Sequence, residues 1–297
     1  MTTAPSVIVD PIVGLEVGVT PDKRLRPRRT LGARIGLGLC LAIIGVAVLA
    51  AAFPGWFTHT DPYKIFYGQH LKPPSWEHPF GTDNLSRDLY SRVVHGAHVS
   101  LTASLLALAI SFTGGTLLGL VAGSAGGFVD GVIMRVTDLM MSIPSLMMSL
   151  AIVAALGFGT INVAIAVGVA GIAAITRLMR SSVLVVARSA YVEAAVLSGV
   201  GWPTILRKHV LPNSFAPVAA YIALDFGASI IAISSLSFLG LGVKPPNPEW
   251  GALVADGRSF LATAWWLTTI PGLVVTAVVV AANGVFLYFQ SSGRSSQ

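Results

Sequence analysis

Three observations predict an all-α polytopic membrane protein with six spans. The 297 residues are 54% hydrophobic and only 11% charged, and the mean hydropathy is +0.76. A soluble domain does not tolerate that balance. Six apolar stretches are long enough to cross a hydrocarbon layer of about 30 Å, which takes about 20 residues of helix. Basic residues alternate in density between the segments that join those stretches, as they do across a bilayer.

The spans are predicted near Leu31 to Phe53, Val99 to Ala122, Leu139 to Leu156, Ile161 to Ile175, Phe215 to Leu241 and Trp265 to Phe289. The fourth is short and starts or ends in the interface. Residues 1–30 carry Pro5, Pro11, Pro21 and Pro27 before a basic cluster and read as a flexible cytosolic tail without a cleavable signal peptide. Residues 31–289 form the six-span transmembrane domain, with an outer loop over 54–98, an inner loop over 177–213 and a second outer loop over 243–264. Leu287 to Ser291 coincide with part of a common protease-cleavage tag, so residues after about Ala282, with the tail 290–297, are assigned no function.

Orientation follows from 19 basic residues. Lys23, Arg24, Arg26, Arg28, Arg29, Arg34, Arg135, Arg177, Arg180, Arg188, Arg207, Lys208 and Arg294 fall on one side, and only Lys64, Lys72, Arg87, Arg92, Lys244 and Arg258 on the other. The positive-inside rule then puts both termini and the loop 177–213 in the cytoplasm. The net charge of +6 reflects that orientation and gives no reason to invoke nucleic acid. Cys40 is the lone cysteine, so neither a disulfide framework nor a cysteine zinc site can form.

Between the fourth and fifth spans runs Tyr191-Val-Glu-Ala-Ala-Val-Leu-Ser-Gly-Val-Gly-Trp-Pro-Thr-Ile-Leu-Arg-Lys-His-Val-Leu-Pro-Asn213. Good helix formers from Ala190 to Ser198 are stopped by Gly199 and Gly201, and Pro203 suits the first turn of a new helix. Pro212 is expected to end that second helix, because the residue before a proline is pushed out of α geometry. The predicted unit is a helix, a glycine bend and a helix, a rigid knob through which a soluble protein could move two spans. The plain alternative is an amphipathic linker without a partner.

Glu193, Ala194, Ala195, then Gly199, then His209, Leu211 and Pro212 reproduce the spacing of a coupling motif. It resembles that of permease subunits in bacterial ABC importers that work with a solute-binding protein. The family has an apolar residue where His209 stands, and the ending His-Val-Leu-Pro-Asn is similar to the dipeptide, oligopeptide and nickel branch. Phe80 to Arg92 and Leu236 to Arg258 resemble the same branch, although the family commonly has Gly where this chain has Ser86. The resemblance implies a type I importer permease in the bacterial inner membrane, pairing with a second, different permease. It also implies two ATPase subunits, or one fused ATPase, and an external binding protein that delivers di- or oligopeptides. Glu193 and the Gly199 bend would transmit motion, and Arg207 and Lys208 would meet acidic groups on the ATPase.

No phosphate-cradling Gly-x-x-x-x-Gly-Lys-Ser/Thr loop occurs in the sequence, so ATP and Mg are expected on the partner ATPases, with no cofactor or metal on this chain. Neither His-Glu-x-x-His nor Gly-x-Ser-x-Gly is present, which removes the simplest enzyme readings. His59, His70, His78, His95 and His98 gather on the outer side, which would suit a protein that handles metal, but their wide, irregular spacing reads more readily as solvated loop histidines.

In the first outer loop, Asp83 is placed to cap a helix, Leu85, Leu89 and Val93 form a four-residue stripe, and Asp88 and Arg92 form an i,i+4 pair. That pattern predicts an amphipathic helix on the outer interface, serving either as an anchor or, with Arg87 and Asp88, as docking surface for the binding protein. Gly240, Gly242, Pro245, Pro246 and Pro248 shape an outer rim. By resemblance, Trp250, Asp256 and Arg258 are candidates for gating or docking there; Trp250 equally suits an interfacial aromatic belt.

Gly115, Gly119, Gly123, Gly127 and Gly131 recur every four residues and predict a helix-packing seam more readily than a substrate contact. Asp130, Arg135 and Asp138 read as interface charges before a kink at Pro144. Asp225 lies near the middle of the fifth span, where an uncompensated carboxylate costs about 2.5 to 3.5 kcal/mol. It lines the translocation path and meets the cationic amino end of a passing peptide, or it bonds polar groups of a neighbouring helix or subunit, and it departs from the family, which more often has its acidic residue near Ile233. Two rival functions stay open: the same architecture carrying nickel, haem or glutathione, and an ion-coupled secondary transporter working through Asp225, which paired broken helices and inverted repeats would favour.

Overall fold

The computed structural model describes residues 31–293. Helix α1 (Leu31–Ala52) is followed by the outer loop, then α2 (Leu89–Ala125), α3 (Gly127–Ser142) and α4 (Ser145–Leu156). Next come α5 (Thr160–Ala187), the short α6 (Ala190–Leu197) and α7 (Trp202–Ile205), and α8 (Leu211–Phe238). A short α9 (Trp250–Gly257) and the final α10 (Trp266–Gly293) complete the fold. Among the described residues five helical stretches are long and apolar enough to cross a membrane, or six if α3 and α4, a bent pair, form one span. Leu39, Leu117, Leu273 and Val280 are exposed, as side chains facing lipid should be.

The long helices α2 and α5 pack against each other along most of their length, and α8 crosses both. Helix α10 lies on α8, and α1 covers α10 and α2 from outside. Three apolar clusters stack along this frame. The outer-end cluster joins Leu89, Val93, Trp250 and Trp266; the middle one joins Ala107, Val163 and Leu236; the third, beneath the inner loop, joins Met179, Val183, Ile205 and Val218.

Close contact of α2 with α5 rests on the glycine stripe. A Cβ at Gly115 would meet Ile175 at 2.5 Å, one at Gly119 would meet the Thr176 carbonyl at 2.5 Å, and one at Gly123 would meet Val183 at 2.7 Å. Gly127 and Gly131 stand in open space, so the seam is three residues long and lies within this chain. Charges close its inner end: the Arg180 guanidinium donates two bonds to the Asp130 carboxylate, and Arg177 donates to Asp138 at 2.6 Å.

Several predicted spans need correction. The second starts at Leu89, ten residues before the apolar run, because the polar residues Ser91 and Arg92 are buried by the outer loop and do not stop the helix. The third is broken, with α3 and α4 meeting at 95° around Pro144, far more than a kink. The fourth runs through 28 residues, since Arg177 and Arg180 are neutralised by α3 and continue the helix. The chain after Ala282 is part of the fold: α10 reaches Gly293, Asn283 faces Gly227, and a Cβ at Gly284 would meet the Cys40 sulfur at 2.6 Å. Residues 1–30 and 294–297 lie outside the described residues, so the expected N-terminal tail and Arg294 do too.

Candidate functional site

The inner loop folds as a knob on the ends of α5 and α8. Helix α6 ends in a Schellman turn: the Gly199 amide donates to Val196 and the Val200 amide to Ala195, at 3.0 and 3.2 Å. Gly199 sits at φ +78, where a side chain would be strained, so the residue type and the bend are matched. Pro203 lies in the first turn of α7, as predicted.

The second helix does not stop at Pro212. Leu206–Val210 forms a π turn in which the Leu211 amide reaches back to the Leu206 carbonyl, and the chain passes into α8 without a break. The wider turn loosens the spacing just where the proline ring would crowd the preceding turn of an α-helix. Knob and fifth span are therefore one rod from Trp202 to Phe238.

Three apolar side chains root the knob. Val192, Ile205 and Val210 are at most 1% exposed and pack among Ile175, Met179, Val183 and Val218. Its other face is open. Glu193, Ala194, Gly199, Arg207, Lys208 and Pro212 are exposed, and Ala195, His209 and Leu211 are half-buried. Tyr191, Leu197 and Trp202, not singled out by the spacing argument, add apolar area, with Leu197 88% exposed. The His209 ring lies 6.4 Å from the Tyr191 ring.

At the opposite end, the outer loop is not an amphipathic helix. Residues 83–88 form a turn, and Asp88 is the N-cap of α2, accepting from the Ser91 amide at 2.8 Å. Asp83 caps that turn instead, accepting from the Leu85 and Arg87 amides and from Arg87 Nε at 2.7 Å. The expected Asp88–Arg92 pair gives way to three others: His78 Nδ1 lies 2.9 Å from Asp88, and Arg92 lies 3.6 Å from Asp83 and 3.8 Å from Asp256. Arg87, Asp88 and Arg92 are buried, so they pin the loop to the membrane domain and do not form an exposed docking face. His78 is buried as well, contrary to the solvated reading, while His59, His70 and His98 remain exposed.

Trp250 is also buried, at 1% exposure, and belongs neither to an aromatic belt nor to a docking surface. Its indole N–H donates to Val93, and the neighbouring Glu249, fully buried, caps α9 through the Ala252 amide and accepts from Ser100 at 2.9 Å. Glu249 and Ser100 were missed; the available signal was an acidic residue directly ahead of a helical run. Asp256 and Arg258 remain on the open surface, Arg258 lying over the Phe238 ring. Crowding on its inner side raises the Asp256 carboxyl above the usual carboxylate range, against the opposing pull of Arg92 and Arg87, although about half of the side chain stays open.

Asp225 lies on α8 facing α2, where it accepts from the Ser111 hydroxyl at 2.8 Å. It also borders a cavity of about 100 Å³ shared by α4, α5 and α8. Among the described residues no three His, Cys, Asp or Glu side chains gather as a metal-ligand set.

Residues 115–292 match the family described as binding-protein-dependent transport system inner membrane component. The chain is 41% identical over 258 residues, 85% of this chain and 84% of the relative, to the di/tripeptide transport system permease protein DppC of Pseudomonas aeruginosa. It is 39% identical over 81% of both chains to the probable D,D-dipeptide transport system permease protein DdpC of Escherichia coli. The glutathione transport system permease protein GsiD of Pectobacterium atrosepticum is 36% identical over 86% of this chain and 85% of its own. Among solved structures, an inward-facing MetNI methionine ABC transporter superposes with a TM-score of 0.53 at 14% identity, covering 66% of this chain and 94% of the other, a likeness of fold alone. By its match over 115–292 and these identities, the chain belongs to the binding-protein-dependent transport system inner membrane components, the permeases of ABC importers.

Proposed function

We propose that this chain is one of two different permease subunits of an ATP-driven importer that takes di- and oligopeptides from a solute-binding protein into the bacterial cytoplasm. The observation that carries the coupling is the knob: rooted by Val192, Ile205 and Val210, open on its other face, and continuous with the fifth span. A soluble motor gripping Glu193, Ala194 and Leu197 would displace a rod that runs the full depth of the membrane. The knob lies on the cytoplasmic side with both termini, and it meets two ATPase subunits, or one fused ATPase, which hold ATP and Mg. Arg207 and Lys208 would meet acidic groups on that partner.

The peptide cargo is supported by the names of the relatives at about 40% identity. A second reading, glutathione, is favoured by the permease relative at 36% identity and differs little in chemistry, since glutathione is itself a tripeptide. Docking of the binding protein falls to the exposed Asp256 and Arg258 at the outer rim.

The test is uptake of labelled di- and tripeptides, beside glutathione, nickel and haem, in cells carrying the wild-type chain or Glu193→Arg. Peptide uptake falling by about 10-fold at unchanged membrane level, the equivalent of a 1.4 kcal/mol loss at the contact, supports both cargo and coupling. Uptake of nickel or haem without peptide would keep the architecture and reassign the cargo.

A further inference from the structure

The fifth span carries a carboxylate that coupling does not use. Asp225 is more than nine-tenths buried, and its two oxygens have different surroundings. Oδ2 accepts from Ser111 of α2, whereas Oδ1 has no hydrogen-bond partner among the described residues. The carboxylate borders the cavity of about 100 Å³, whose wall includes Ser145 and Ser149 of α4, Gly171 of α5 and Ser229 of α8. That space holds a few waters or one small charged group.

The hydroxyls around it remain able to accept. Ser149 gives its proton to the Ser145 carbonyl, which leaves its oxygen lone pairs for another donor. Ser229 is buried and has no partner among the described residues. The cavity opens beside Ser145, an exposed residue at the 95° break between α3 and α4. A buried carboxyl oxygen and two hydroxyl oxygens therefore share one small space beside the break between α3 and α4.

We infer that this cavity binds a primary ammonium group, that of a transported peptide's amino terminus. An ammonium carries three N–H donors and no acceptor, which suits one carboxylate oxygen with two hydroxyls. A guanidinium carries five N–H donors in a rigid planar fork, more than one carboxylate oxygen and two hydroxyls are placed to receive. A divalent cation would need six or more oxygen ligands, more than this wall supplies. The source of the ammonium rests on the reading of the chain as a peptide permease; the ammonium site itself does not.

The experiment uses the complete transporter in lipid nanodiscs, with Cys40→Ser and Ser229→Cys in this chain. Labelling of the new thiol by 2-aminoethyl methanethiosulfonate, a primary ammonium, is compared with labelling by neutral methyl methanethiosulfonate. The ammonium reagent is expected to gain about 10-fold over its ratio at a free thiol in solution, and to lose that gain when Asp225→Asn is added. Trialanine is expected to slow the labelling where sodium or potassium chloride of equal ionic strength does not. A ratio indifferent to Asp225, or protection by the alkali ions alone, would overturn the ammonium site.

With the native Ser229 kept, Asp225→Asn is expected to lower peptide turnover by about 10-fold while binding-protein-stimulated ATP hydrolysis persists; unchanged turnover would overturn the inference. A wild-type transporter that moves no peptide but keeps the charge-dependent labelling would separate failure of the peptide reading from failure of the site.

Discussion

Trp250 donates its indole N–H to the backbone carbonyl of Val93 at 3.0 Å, so the short rim helix α9 is clasped to the body of α2. The ring lies against Gly96, where a Cβ would meet it at 3.3 Å, and the Trp250 amide is held by Ser100 at 3.1 Å. Three residues of one helix face thus receive one side chain and its backbone.

Removing the ring should loosen the outer end. Trp250→Ala is expected to cost about 3 to 5 kcal/mol, and Trp250→Phe, which keeps most of the packing and loses the bond, about 1 to 2 kcal/mol. Thermal midpoints of the purified chain in detergent would show the two steps. Equal midpoints for wild type and Trp250→Ala would contradict the clasp.

The glycine stripe predicts a contrast within one pattern. Gly119→Ala places a methyl at 2.5 Å from the Thr176 carbonyl and should destabilise by about 1 to 3 kcal/mol. Gly131→Ala meets nothing within 4 Å inside α3 and should leave stability unchanged or raise it by up to about 1 kcal/mol. Fluorescence-detected gel filtration after heating would rank the two, and a reversed order would remove α2 and α5 as the packed pair.

Ser86 sits at φ 60, in the left-handed region that favours glycine, in the turn between Asp83 and Arg87. Ser86→Gly should therefore stabilise the outer loop by about 0.5 to 1 kcal/mol, the backbone strain relieved less the added freedom of the unfolded chain. Slower proteolysis within residues 54–98 of membrane-embedded protein is the readout. A faster cut would mean that the serine side chain supports the turn.

The parts of the molecule legible in the sequence are those whose causes are local. Gly199 and Pro203 announce the bend and the restart of the knob because each acts on its own backbone. The outer loop is illegible for the opposite reason. Asp83, Asp88 and Arg92 look like a solvated helical face, and their burial depends on partners as distant as Asp256, just as Ser100 finds Glu249 across 149 residues. Pro144 marks a break in its own right, but the 95° angle depends on what α4 packs against. Pro212 signals the end of an α-helix correctly, and the π turn ahead of it evades that rule.

The π turn at Leu206–Val210 also holds a spare residue. A turn of this kind accommodates one residue more than an α turn, and one residue corresponds to about 100° of rotation about a helix axis. The surplus residue is taken up inside the turn, so the helix on either side keeps the facing it would have in a continuous α-helix one residue shorter. Deleting one position between 206 and 210 would let the segment relax to α geometry with the knob and the side chains of α8 facing their present neighbours, whereas deleting one position in the regular helix just after it would turn the knob by about 100° relative to Asp225. The rod can therefore give up one residue at this place without losing its register.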